Sequence, residues 1–224
     1  MLLLATDTSG KHGSIALAEC GPGDECKILE VLPLTGGTFS AQLVPQIAAL
    51  MAKHGFTKRD IGAFAVASGP GSFTGLRVGL AAIKALSEVL EKPIAAVSLL
   101  EAVAESSRSQ GKILAALDAG RNEVYVTECE IKGSETRLIS ERLMTREQCF
   151  ETTGDATIVT PDQGLAEAAR LKGLRTEVVE HPLSDAIARL GGRKILAGQT
   201  VSPEELEANY IRRSDAEIFA RSSF

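Results

Sequence analysis

Two aspartates stand where strand-like runs end: Asp7 in LLLATDTSGKHGSIALA and Asp118 in ILAALDAGRNEVYVTE, each followed by a tight turn into a second run. A carboxylate so placed can hold Mg²⁺, while turn N–H groups and the hydroxyls of Thr8 and Ser9 can receive phosphates. The same residues have a plainer use, because an Asp that bonds the backbone two residues on caps a turn without any ligand. A second candidate is SGPGSFTGLRVGLAAIKAL, residues 68–86, a glycine-rich turn that opens a helix. Helix N-termini attract anions through unpartnered N–H groups. The spacing, however, lacks the four-residue gap and Lys-Ser/Thr of a Walker loop. It also misses the dinucleotide fingerprint, since Thr74 stands where the third glycine belongs and Gly75 comes one residue late. Gly191-Gly192 reads either as an adenosine-contacting turn or as a helix C-cap. His12, His54 and His181 lie far apart, so no metal site, catalytic Ser-His-Asp set or activated Cys can be assembled from them.

The elements that must position these residues come in two similar series. Leu2 to Ala5, Ser14 to Ala18 and Lys27 to Leu32 read as a β-meander. An amphipathic helix follows over Ser40 to Lys53, with Leu43, Ile47 and Leu50 at helical spacing, then the strand IGAFAVAS and the glycine-rich turn and helix. A short strand, Pro93 to Val97, leads to Ser98 and Glu101 in capping-box spacing. After ESSRSQGK the order begins again with ILAALDAG, EVYVTECEI and RLISERLM as strands and a helix from the Thr145–Gln148 capping box. ATIVTP and TEVVE read as strands, with helices over Gly164 to Leu171 and Leu183 to Ala197. Each half thus opens β-β-β-α-β-α. The expected division is 1–105 and 106–224, with a last helical segment from Ser202-Pro203-Glu204-Glu205 returning to the first half. Two facing domains, each with a strand-end Asp and a hairpin of N–H groups, would form the phosphate clamp of actin, sugar-kinase and Hsp70-type ATPases.

Composition narrows the partners. The 224 residues are 44% hydrophobic and carry a net charge of -5, enough for one large core or two modest ones but without the basic footprint of a chain that binds nucleic acid alone. The apolar opening has no basic flank and soon meets Asp7, which fits neither an export leader nor a membrane span, so the chain reads as cytoplasmic. Cys20, Cys26, Cys129 and Cys149 form no C-x-x-C and read as free thiols.

In the glycine-rich helix, Gly75, Gly79 and Ala82 fall on one stripe, and Leu76, Leu80 and Ile83 form an apolar stripe beside it. A glycine in a helix interior costs about 1 kcal/mol relative to Ala, so Gly79 must be offset by close packing. Two packings satisfy the pattern: a partner protein's helix seated on Gly75, Leu76, Gly79, Leu80, Ala82 and Ile83, or this chain's own sheet and first helix.

GPGSFTGLRVGLAAIKAL after a strand, the opening LATDTSGKHGSIALA, LDAGRNEVYV and the closing ANYIRR together resemble the TsaB (YeaZ) family of bacterial tRNA threonylcarbamoyladenosine biosynthesis proteins. The resemblance spans essentially the whole chain. It implies an α/β, duplicated actin-like (ribonuclease H-like) fold of two βββαβα domains, and a non-catalytic paralogue of TsaD, the subunit that threonylcarbamoylates adenosine-37 of tRNA. It also implies TsaD as heterodimer partner, with the ATPase TsaE joining and tRNA reached only through the complex. A homodimer of the isolated chain is compatible with it. Asp7, Thr8, Ser9 and Asp118 would then be vestigial nucleotide-binding residues, with no cofactor in the isolated chain and weak ATP or ADP with Mg²⁺ only in the complex. TsaD-like proteins carry an H-x-x-x-H metal motif where this chain has GGTFSAQLVPQI, and many relatives have His where Phe39 stands. The rival reading is a stand-alone actin-like ATPase or small-molecule kinase, which would need a carboxylate base and an adenosine pocket.

Overall fold

The first strand, β1 (Leu2–Asp7), is buried along its whole length, as a central strand covered on both faces must be. The computed structural model describes residues 1–23, 26–35, 37–132 and 135–212; Asp24 and Glu25 of the first meander, Gly36, and the stretch 213–224, including Arg213 of the closing motif, lie outside the described residues. From β1 the chain turns back as β2 (His12–Cys20) and β3 (Cys26–Thr35), both antiparallel. It then runs through α1 (Phe39–Lys53), β4 (Ile61–Gly69), α2 (Phe73–Leu90) and β5 (Ile94–Ser98), with β4 and β5 parallel to β1 and to each other. The resulting sheet has the order β3-β2-β1-β4-β5.

After α3 (Leu99–Glu105) the pattern recurs. β6 (Gly111–Gly120), β7 (Glu123–Lys132) and β8 (Glu135–Thr145) form an antiparallel meander, and α4 (Arg146–Thr152) follows. β9 (Thr157–Thr160), α5 (Gln163–Leu171), β10 (Thr176–Val178) and α6 (Ser184–Leu196) complete the α-helices and strands among the described residues. The second sheet, β10-β9-β6-β7-β8, repeats the strand order of the first. The Thr145 capping box forms as its spacing predicts: Gln148 N donates to Thr145 Oγ1 at 3.2 Å and Thr145 N to Gln148 Oε1 at 3.0 Å.

The two faces of the first sheet differ in side-chain size. One carries Leu2, Leu4, Ile15, Leu17, Phe64 and Val66 into a core shared with Leu43, Ile47 and Leu50 of α1 and Leu76, Leu80 and Ile83 of α2. The other is lined mostly by alanines, Ala5, Ala16, Ala18, Ala63, Ala65 and Ala95, with Leu3 and Val97 among them, all fully buried. Small side chains let a helix come close, and the helix that does so is α6, which packs on β1, β2, β4 and β5. Gly191 and Gly192 lie inside α6, where a Cβ on Gly191 would overlap that of Ala65. They are therefore neither a C-cap nor an adenosine turn.

This packing changes the expected division. One unit comprises Met1–Leu99 together with Pro182–Asn209; the other takes Leu100–His181 and resumes at Tyr210. The expected second domain, 106–224, thus loses α6 and the segment after it, because α6 buries Ile187, Ala188 and Leu190 and its apolar face is complementary to the alanine face of the first sheet. The segment at Ser202 also joins the first unit, with Val201 bridging Ile94 and Leu206 in the core. It makes the predicted box, Ser202 N to Glu205 Oε2 at 3.1 Å and Glu205 N to Ser202 Oγ at 3.3 Å, but only a turn and no helix. The cysteine expectation is half corrected: Cys20 and Cys26 are joined as a disulfide, while Cys129 and Cys149 are free and buried. No helix among the described residues is long and apolar enough to cross a membrane.

In the second unit, the polar stretch before β6 grips a carboxylate of β10. Glu177 accepts from the N–H groups of Arg108 (2.8 Å) and Ser109 (3.2 Å) and from the hydroxyls of Ser107 and Ser109, both 2.7 Å. Burial pushes its carboxyl up, but the four donors outweigh it and hold the group below the usual carboxylate value. A lowered folded-state pKa contributes stability that is present above the unfolded value and is lost as pH falls through the folded one. Thermal midpoints measured from pH 7 to pH 3 should therefore decline on the acid side, and Glu177→Gln should melt earlier at pH 7 while flattening that decline.

Candidate functional site

The glycines of the α2 turn are explained by the β1–β2 turn beneath them. Gly69 ends β4 at φ +124°, a conformation that L side chains rarely adopt. Ser72 then caps α2, its hydroxyl accepting from Gly75 N at 3.3 Å, and its own N–H donates to Ser9 O at 2.6 Å. Thr8 Oγ1 donates to Gly75 O at 2.7 Å. A Cβ on Gly71 would stand 2.6 Å from Ser9 O; one on Gly75 would overlap the Thr8 carbonyl, and one on Gly79 the Thr8 hydroxyl. The first two turns of α2 thus lie directly on Thr8 and Ser9.

That arrangement also engages the groups that would serve a phosphate. Asp7, 2% exposed, accepts from Ser9 N at 2.8 Å and from Ser9 Oγ at 2.6 Å, the turn-capping geometry that needs no ligand. In the second unit the β6–β7 turn passes through Arg121 and Asn122, both with positive φ. Asp118 Oδ1 pairs with Arg146 Nη2 at 2.9 Å, and its N–H donates to Asp162 Oδ2 at 2.7 Å. Each of the four expected nucleotide residues, Asp7, Thr8, Ser9 and Asp118, bonds within its own chain; Asp7, Thr8 and Ser9 are buried, whereas Asp118 stays exposed. Among the described residues no group of three or more His, Cys, Asp or Glu could hold a metal ion. Phe39, where relatives were expected to carry His, is buried at the start of α1, and a Cβ on Gly13 would come 2.8 Å from its ring.

The expected partner stripe is corrected by the same packing. Gly75 and Gly79 face Thr8, and Leu76, Leu80 and Ile83 are buried in the first unit's core; of the six residues, Ala82 alone lines an outward groove. The groove, about 480 Å³, runs between α1 and α2 past Ser40, Val44, Phe73, Arg77, Ala81 and Ala82. Arg77 lies over the Phe73 ring, 3.6 Å from its centroid, a cation–π arrangement. Val44 is 52% and Phe73 38% exposed. Around them, Ala41, Ala48, Ala81 and Ala85 are also exposed, so both helices present small and apolar side chains to solvent. This face was missed in the sequence, although Thr74, Arg77, Ala81 and Ala85, all exposed, repeat at helical spacing opposite the buried leucines.

Two sheets of order 3-2-1-4-5, each opening with an antiparallel meander, define a duplicated α/β fold of the actin-like, ribonuclease H-like class. A nucleotide-holding member shows the same architecture: the activator of 2-hydroxyisocaproyl-CoA dehydratase from Clostridium difficile, solved with bound ADPNP, superposes with a TM-score of 0.51 at 12% identity, covering 89% of this chain and 97% of that one. The family model described as TsaD: tRNA N6-adenosine threonylcarbamoyltransferase matches residues 34–188. YeaZ from Pseudomonas aeruginosa has a TM-score of 0.74 at 25% identity, covering 93% of this chain and 100% of that one. The tRNA threonylcarbamoyladenosine biosynthesis protein TsaB of Escherichia coli K12 is 28% identical, with 96% of each chain covered. The chain belongs to the TsaD family and, within it, to the TsaB/YeaZ proteins.

Proposed function

We propose that this chain is a non-catalytic subunit for the synthesis of N6-threonylcarbamoyladenosine in tRNA, which binds and activates a TsaD-type transferase through the outer face of α1 and α2. The observation that carries the reading is the contrast between two surfaces. The phosphate hairpin is occupied by α2 and by its own side chains, whereas an apolar groove between α1 and α2 is open. A TsaD-type subunit, as a paralogue, would offer a helix pair of its own, and small residues at 81, 82 and 48 allow close approach. TsaE joins that complex, and tRNA meets the chain only within it, as the net charge of -5 favours. The setting proposed is the cytoplasm.

A stand-alone kinase needs a carboxylate free to act as base and a receptive phosphate turn, and Asp7 is committed to Ser9. Calorimetric titration of the isolated chain with Mg-ATP should therefore give no binding in the micromolar range, and the chain alone should not turn ATP over. Micromolar binding abolished by Asp7→Ala would favour the kinase instead. In the same calorimeter, a TsaD-type partner should bind with a clear heat; no binding would remove the subunit reading.

A further inference from the structure

Cys20 and Cys26 are opposite partners at the end of the β2–β3 hairpin, and the proposed function makes no use of them. Cys20 directs both backbone groups toward Met1, its N–H to Met1 O and its carbonyl to Met1 N, each at 2.9 Å. Its pairing with Cys26 is therefore of the non-hydrogen-bonded kind, which brings facing side chains closest. Both sulfurs lie beneath α6: a Cβ on Gly192 would come 2.8 Å from Cys20 Sγ and 3.1 Å from Cys26 Sγ. A further link joins the hairpin end to the helix, Arg189 Nη1 donating to Cys26 O at 3.0 Å.

We propose that Cys20 and Cys26 form a redox-responsive dithiol whose state sets how firmly α6 is held on the first sheet. Two thiol sulfurs keep a van der Waals separation of roughly 3.5 Å or more, against about 2 Å in a disulfide. The space above the pair is closed by a residue without a side chain, so reduction presses the sulfurs against the α6 backbone and loosens its seat. Oxidation by a small disulfide such as oxidised glutathione balances simply. One cysteine thiolate attacks a glutathione sulfur and expels the other as thiolate; the second cysteine, after losing its proton, displaces the remaining glutathione. The two electrons of the dithiol then reside in two reduced glutathiones. Both cysteines are buried, but β3 is an edge strand and Pro22 and Gly23 beside them are exposed, so local opening of the hairpin end gives access.

The test holds the full chain in glutathione buffers from reducing to oxidising, quenches with acid and alkylates the unfolded protein. Of the four cysteines, all should be alkylated under reduction and only Cys129 and Cys149 under oxidation. Amide exchange over residues 184–196 should be about tenfold faster in the reduced form, and its thermal midpoint lower by roughly 3–6 °C. A Cys26→Ala chain should exchange at one rate in both buffers. Four alkylated thiols at every ratio would overturn the proposal. So would oxidation without any change in α6 exchange, or a Cys26→Ala chain that still responds to the buffer.

Discussion

Gly79→Leu should lower the thermal midpoint of the isolated chain by roughly 5–10 °C. The new side chain has no room, because even a Cβ at this position would overlap the Thr8 hydroxyl, which itself donates to Gly75 O. Overpacking of this kind costs about 1–3 kcal/mol, occasionally more, and in a chain of this length each kcal/mol moves the midpoint by about 2–4 °C. Gly75→Ala should be at least as damaging despite its smaller side chain, since the obstacle there is the Thr8 carbonyl, a backbone group that cannot rotate aside. Calorimetric melting of the purified variants measures both. A Gly79→Leu chain that melts with the wild type yet no longer binds a TsaD-type partner would show that the small stripe faces outward after all.

The opposite pattern is expected for Val44→Glu combined with Ala81→Glu. Both positions are exposed on the α1/α2 groove, so the double variant should fold and melt within a few degrees of the wild type. Seated against a partner helix, two carboxylates would be buried with Arg77 as the one cation among the groove-lining residues, and binding should weaken at least about 100-fold, or roughly 3 kcal/mol. Arg77 stands beside Ala81 in the same groove, so Ala81→Glu alone should cost less than the pair. Sedimentation velocity of each variant mixed with the partner reads the loss directly.

Much of this architecture was legible because alternation and helical spacing respond to burial. Leu43, Ile47 and Leu50 announced the inner face of α1, and Thr145 with Gln148 announced the start of α4. What the sequence left open were questions of which surface a small residue meets. Gly75 and Gly79 fit a foreign helix and an internal turn equally well, and only the position of Thr8 decides between them. The placement of α6 was missed for a related reason: its partner is the alanine face of the first sheet, distant in sequence, and an alanine-rich strand carries no mark of which helix will cover it. Ser202 and Glu205 made their local bonds without a helix, since a capping pair specifies a start and not the residues that must follow. Cys20 and Cys26 are six residues apart with two turn glycines between them, and it is the register of β2 against β3 that sets them face to face.

On the proposed function this chain acts by binding through α1 and α2 and supplies no chemistry of its own. The most direct measurement is threonylcarbamoyladenosine formed on tRNA by a TsaD-type transferase and TsaE, supplied with threonylcarbamoyl donor and either no further chain, this chain, or its Val44→Glu/Ala81→Glu form. Formation is predicted with the wild-type chain and with Asp7→Asn, and at background with the double variant or without the chain. Full activity from the double variant, or loss of activity in a folded Asp7→Asn chain that still binds its partner, would contradict the account.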